Sequence, residues 1–187
     1  VGVIEAKPST AGETITVVEQ QSHRYANSTL KWVQQDYSIR FAYEATDKLI
    51  RFTDYQDQKY RSREVFWFHQ PQTLQALLRQ PTTLRNRLKA IPPFDYTRFR
   101  QCQIDALNNL DISFAENRPR ALVQMATGAG KTFTAITAAY RLLKFANMKR
   151  ILFLVDTRNL GEQAEESFLA YTPNDDPRAF PQLYGVR

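Results

Sequence analysis

The chain has 187 residues, 43% hydrophobic and 24% charged, the proportions of a folded globular protein with enough length to bury a core. No run reaches the apolar length of a membrane span and no signal peptide is visible, so a cytoplasmic protein without membrane contact is expected. The single cysteine, Cys102, excludes an internal disulfide framework and is expected to be a packed helix residue.

The net charge of +6 is unevenly spread. Between residues 79 and 100, Arg79, Arg85, Arg87, Lys89, Arg98 and Arg100 face Asp95 alone. Such a run suits a phosphate backbone, although any solvated basic face has the same composition.

In chain order, Gly2–Pro8 reads as a strand stopped by proline. Strand periodicity puts Glu5 and Lys7 on one face and Ile4 and Ala6 on the other. A carboxylate that binds a divalent metal, beside an ammonium that orients water or steadies developing charge, is a phosphodiester-cleaving pair. The E-x-K tripeptide alone fits any exposed strand face equally well. Ser9 or Thr10 would cap a helix from about Ala11 to Leu30, which places Gln21 and Tyr25 one turn apart on one face. A strand with E-x-K followed by a helix with Q-x-x-x-Y is similar to a branch of the PD-(D/E)xK nucleases. There the Gln and Tyr line the active site; otherwise they form a polar helix face with one half-buried aromatic.

Tyr37–Tyr43 and Lys48–Phe52 alternate around Glu44-Ala45-Thr46-Asp47, which reads as the turn of a hairpin. Glu64–His69 is a further strand candidate. Its aromatics are expected in a core and His69 in a structural role. Prolines at 71, 81, 92 and 93 punctuate two short helical stretches, Gln72–Arg79 and Leu84–Ala90, which read as a basic helical linker. A helix opening near Arg98 follows, with apolar residues at 104, 107 and 110. The Gln103 amide suits paired donor–acceptor readout of adenine, with Arg100 and Phe99 as ring contacts.

Ala121–Met125 reads as a buried strand leading into Ala126-Thr127-Gly128-Ala129-Gly130-Lys131-Thr132. A helix with an apolar stripe at Phe133, Ile136, Tyr140 and Leu143 follows. Strand, glycine turn and helix N-terminus make a phosphate cradle: backbone N–H groups and the helix dipole face an anion. Lys131 would reach the β and γ phosphates of ATP, and Thr132 would hold Mg²⁺. Where the strict pattern has a first glycine, this chain has Met125, and the loop resembles that of superfamily 2 helicases. Arg150–Val155 is a second apolar strand, and with the intervening helix it implies a parallel βαβ unit. Arg158 and Asn159 in the loop beyond it are placed to touch a nucleic-acid backbone.

Three segments in order resemble the restriction (motor) subunit of type I restriction-modification enzymes: E-A-K with Q-S-H-R-Y, then A-T-G-A-G-K-T, then F-L-V-D-T-R-N-L-G-E-Q. Thr157 is an insertion against that family's usual last segment. The resemblance implies an α/β chain divided in three. Residues 1–70 would be the end of a PD-(D/E)xK nuclease-like domain, 71–97 a helical linker, and 98–187 the first part of a RecA-like P-loop parallel sheet. It implies Glu5 as Mg²⁺ ligand, Lys7 as catalytic lysine, and Gln21 and Tyr25 in the cleavage site. ATP would lie against Arg100, Gln103 and 127–132. It also implies double-stranded DNA as substrate and methylation and specificity subunits as partners. A metal-binding Asp is expected upstream of Val1, and the second acidic ATPase motif beyond Arg187, so the sequence reads as a fragment, inactive alone. Two other readings remain: a superfamily 2 motor, such as a type III restriction or repair protein, with a non-cleaving DNA-binding front domain; and a small P-loop kinase or metabolic ATPase.

Overall fold

A computed structural model describes residues 2–10, 19–28, 38–57, 60–116, 118 and 120–186. The chain divides into two compact units, Val1–Thr83 and Leu84–Arg187.

Among the described residues, the first unit has a four-stranded sheet and two helices. Strand β1 (Gly2–Ala6), helix α1 (Glu19–Ala26), and strands β2 (Phe41–Ala45), β3 (Ile50–Asp54) and β4 (Arg63–Val65) are followed by helix α2 (Pro71–Arg79). The sheet order is β1-β2-β3-β4. β1 runs parallel to β2, with α1 between them in sequence, whereas β2, β3 and β4 form an antiparallel meander. The rest of the helix expected from Ala11 to Leu30 lies outside the described residues, apart from the turn at 27–28. The hairpin is present, but its strand runs on through Glu44 and Ala45. The turn is Thr46–Leu49, closed by Thr46 N–H to Leu49 O at 2.8 Å and by Leu49 N–H to Thr46 Oγ1 at 3.0 Å.

One face of the sheet carries Phe41, Tyr43 and Phe52, all buried, and α2 lays Leu74 and Leu77 against them. Arg40 fastens this arrangement, with two bonds to the Asp54 carboxylate and one to the Leu77 carbonyl, each 2.8 Å. Half-buried His69 is structural: the Tyr43 hydroxyl lies 2.7 Å from its Nδ1 and accepts from its backbone N–H at 3.2 Å. The aromatics beside it differ from the expectation of a core. Phe66 is 92% and Trp67 82% exposed, because β4 ends at Val65 and the chain bends out of the sheet.

The second unit, as described, is helical: α3 (Leu84–Lys89), α4 (Gln101–Ala115), α5 (Lys131–Lys144), α6 (Arg158–Ala170) and the short α7 (Phe180–Leu183). The stretch expected as a linker is thus shared, α2 belonging to the first unit and α3 to the second. The apolar stripe of α5 builds the core: Ile136 and Tyr140 are buried with Tyr171 and Phe180, and Phe133 and Leu143 pack at the margin. Buried Arg141 reaches Asp111 of α4 at 2.5 Å and the Pro92 carbonyl at 3.0 Å, with Phe94 under its guanidinium. The Tyr140 hydroxyl donates to Asp175 and Lys144 bridges both. Burial and the carboxylate beside it push the Tyr140 hydroxyl up to about 12.

Two expectations fail in this unit. Ala121–Met125 and Arg150–Val155 join no ladder among the described residues, and Leu122, Leu152 and Leu154 are at least 80% exposed. An apolar run becomes a buried strand only when neighbouring strands satisfy its N–H and C=O groups, and no described segment does so. Cys102 is exposed rather than packed, because the buried face of α4 passes through Gln103 and Leu107.

Candidate functional site

In the first unit, β1 places Glu5 and Lys7 on one face as alternation requires. The Lys7 ammonium contacts the Glu5 carboxylate at 2.8 Å, and the two side chains are 17% and 16% exposed. The ladder continues past the strand, since Lys7 N–H donates to Ala45 O at 2.8 Å. The lysine therefore sits at a fixed register beside β2. Glu5 pairs with Glu44 across the parallel ladder, Glu44 with Arg51, and Arg51 with Glu64. One charged row thus crosses all four strands.

Glu44 is 3% exposed. Sequence reasoning assigned it to a turn; the signal that could have found it is the alternation of Tyr37–Tyr43 carried two residues further. Gln21 and Tyr25 both lie on α1, one turn apart, as expected. Tyr25 is 43% exposed, while the side chain of Gln21 lies outside the described residues. Among the described residues no three His, Cys, Asp or Glu gather to hold a metal. Glu5, ion-paired with Lys7, could supply one ligand.

In the second unit the loop 126–130 leads into the first turn of α5. Gly128 (φ 78°) and Gly130 (φ 88°) both occupy the left-handed region that L side chains avoid. A Cβ on Gly128 would meet only open space, whereas one on Gly130 would come 2.2 Å from Gln103 Nε2. That contact exists because α4 reaches the loop. Gln103 Nε2 donates to Ala129 O at 2.9 Å, and Arg100 donates to Gly128 O at 2.7 Å. Gln103 Oε1 accepts from Arg100 N–H at 3.0 Å, which closes the first turn of α4.

Gln103 is accordingly buried, and in this arrangement its amide holds the loop on one side and its own helix on the other. Lys131 lies over the loop, 3.2 Å from Ala126 O and 3.5 Å from Met125 O. Thr127 and Thr132 are exposed, Thr132 in the first turn of α5. A loop with left-handed glycines, an ammonium and a hydroxyl at a helix N-terminus is chemistry that fits a polyphosphate with its Mg²⁺.

Arg158 and Asn159 open α6 and are exposed. Thr157 caps the helix by accepting from Leu160 N–H at 3.4 Å, so the residue inserted in the sequence supplies the cap. Arg158 pairs with Glu162 at 2.9 Å along the helix surface, its side chain 90% exposed. The basic run is partly structural, since Arg87 donates to the Ala146 carbonyl at 2.8 Å. Among the described residues no helix is long and apolar enough to cross a membrane.

Residues 96–184 match the family described as type III restriction enzyme, res subunit. The type I restriction enzyme EcoKI endonuclease subunit of Escherichia coli strain K12 is 33% identical over 165 residues, covering 82% of this chain and 14% of that protein. The EcoAI endonuclease subunit of Escherichia coli is 41% identical over 68 residues, 36% of this chain and 8% of that protein. The SauCOLORF180P endonuclease subunit of Staphylococcus aureus strain COL is 30% identical over 127 residues, 54% and 14%. The chain spans 14% or less of the length of these relatives. No solved structure matches.

Proposed function

The chain belongs with the endonuclease subunits of type I restriction enzymes, and from that premise we propose that it carries part of a DNA-cleaving site followed by the ATP site of a DNA-translocating motor. The observation that carries this reading is the loop 126–132. Two left-handed glycines and Lys131 stand at the start of α5, inside the segment that matches the restriction family.

On this reading the N–H groups of 128–132 receive the phosphates. Lys131 gives up the Met125 and Ala126 carbonyls for the β and γ phosphates, and the Thr132 hydroxyl holds Mg²⁺. Gln103 and Arg100 would read adenine, for which the Gln103 amide has to turn from the Ala129 carbonyl and the Arg100 N–H toward the base. Residues 98–187 then belong to a RecA-like motor lobe, in which 121–125 and 150–155 find their ladder partners in more of the protein. Arg158 and Asn159, at an exposed helix N-terminus, face the phosphate backbone of double-stranded DNA.

In the first unit Glu5 supplies one Mg²⁺ ligand, with Lys7 steadying developing charge and Gln21 and Tyr25 on the helix beside it. Bound Mg²⁺ supplies Lewis-acid polarisation of phosphate oxygens at both sites. Methylation and specificity subunits would deliver the DNA. The match of residues 96–184 to the type III restriction family favours one alternative, a type III restriction motor whose first unit binds DNA without cutting.

The experiment is ATP-dependent cleavage of circular plasmid by the full-length subunit assembled with its partners. Glu5→Ala is expected to abolish cutting, a loss of at least about 10²-fold, while ATP hydrolysis continues. Lys131→Ala is expected to abolish both. Wild-type cutting by Glu5→Ala would overturn the nuclease reading in favour of the non-cleaving alternative.

A further inference from the structure

We infer that Phe66 and Trp67 form a stacking platform for unpaired DNA bases on the first unit. The inference rests on the reading of this chain as a DNA-acting protein, and it holds whether or not the first unit cuts. Three observations carry it.

First, the fold holds both rings outward. Val65 is still in the ladder, opposite Ile50. Just beyond, the chain is pinned again. The Phe68 ring lies 5.2 Å from that of Tyr43, the His69 ring 4.5 Å from that of Phe52, and His69 N–H donates to the Tyr43 hydroxyl at 3.2 Å. Pro71 then opens α2. Phe66 and Trp67 alone separate these anchors, and the places on the core beside them are taken by Val65 and Phe68. They stand 92% and 82% exposed. Rings already fixed in water lose little further freedom when a partner arrives.

Second, the surroundings are cationic. Between residues 60 and 83, Arg61, Arg63 and Arg79 meet one acid, Glu64. All three arginines are exposed. The Arg63 guanidinium sits 5.2 Å over the Phe52 ring and its charge acts on His69, so a cation stands at the foot of the aromatic pair. Glu64 alternates to the other face, opposite Arg51 in the ladder. Open aromatic faces with arginines beside them are what single-stranded nucleic acid binds: bases stack and phosphates pair.

Third, the patch is small for a protein partner. A Phe and a Trp so exposed offer about 400 Å² together, half of the ~800 Å² per partner in a stable protein–protein interface. Glu64, Gln70 and Gln72 around them are polar and exposed. A nucleobase needs only the face of one ring. Inside an intact duplex that face is already stacked, so the ligand is a base outside the helix, in a frayed, displaced or single-stranded stretch.

The test uses the full-length subunit assembled with its partners and two probes: a short oligothymidylate carrying 5-bromodeoxyuridine, and a duplex of the same length. Ultraviolet crosslinking to the single strand, mapped by mass spectrometry, is expected to place adducts on Phe66 or Trp67. Phe66→Ala and Trp67→Ala are each expected to weaken oligothymidylate binding about tenfold, with duplex binding and ATP hydrolysis unchanged. Trp67→Phe should bind close to wild type and Trp67→Leu as poorly as alanine, because phenylalanine alone keeps a π face. Arg63→Ala should weaken binding and flatten the slope of log affinity against log salt by about 0.7.

Adducts that fall only elsewhere would overturn the inference, as would equal oligothymidylate binding by wild type and the Phe66→Ala, Trp67→Ala double variant. Trp67→Leu binding like Trp67→Phe would also overturn it. So would a lower melting midpoint of the assembly in Trp67→Ala, since the pair would then be an apolar contact inside the assembly. A wild-type assembly that binds neither probe means that the DNA reading itself has failed, whereas one that binds the duplex alone isolates the failure to the platform.

Discussion

Gly130 and Gln103 meet so closely that their chemistry is shared. The left-handed φ of Gly130 would cost an L residue about 1–2 kcal/mol, and a Cβ there would also strike Gln103 Nε2. Gly128→Ala meets the backbone penalty alone, because nothing lies within 4 Å of the added carbon. In thermal melts without nucleotide, Gly130→Ala should therefore lower the midpoint more than Gly128→Ala. Adding Gln103→Ala should recover part of the difference, a coupling that a double-mutant cycle reads directly.

His69 is governed by the same kind of local accounting. Burial, and then the Arg63 charge, hold its imidazole below the ordinary 6.5. With the Tyr43 hydroxyl donating to Nδ1, protonation would turn that acceptor into a second donor. Because the folded value is the lower one, the unfolded chain binds more protons as pH falls through 6.5, so this stability is present above 6.5 and lost below it. Wild type should lose more thermal stability than His69→Gln between pH 7.5 and 5.5. At this scale the pairing of Glu5 with Lys7 and the place of Lys131 at the glycine loop were legible from motif spacing. Glu44 was not: its place beside Glu5 depends on a ladder partner 39 positions away, and its immediate neighbours look like a turn.

Helices were the legible elements, since their signal is contained in one segment. The stripe Phe133, Ile136, Tyr140, Leu143 faces the core, and Leu107 of α4 is buried as its periodicity implies. The runs 121–125 and 150–155 carry equally apolar sequence, yet a strand is completed by its neighbours, and composition cannot reveal whether they are present. For the same reason the outward turn of Phe66 and Trp67 was invisible in sequence.

Between α4 and α5 the buried Arg141 guanidinium is balanced by Asp111, the Pro92 carbonyl and the Phe94 ring, while its Nε and Nη1 make no hydrogen bond among the described residues. Asp111→Ala would leave a buried cation uncompensated, with an expected loss of about 3 kcal/mol in urea unfolding. The double variant Asp111→Ala with Arg141→Met should lose less, because the charge that needs balancing is gone.

The two units keep separate cores, one around Phe41, Tyr43 and Phe52 and one around Ile136, Tyr140, Tyr171 and Phe180. Equilibrium unfolding of the 187-residue chain should resolve two transitions rather than one. Phe52→Ala, at about 3–5 kcal/mol, should move one of them, and Ile136→Ala, at about 2–5 kcal/mol, the other. A single transition shifted by both substitutions would count against independent cores. The run 151–155 has a consequence of its own. Formed helices flank it, yet its amides have no backbone acceptor among the described residues. In deuterated water those amides should exchange at nearly the rate of a free peptide while α5 stays protected, a fast window inside a folded molecule. Such a solvent-facing leucine stretch is also what chaperones and quality-control proteases bind, so the lifetime of this chain on its own should depend on how soon something covers it.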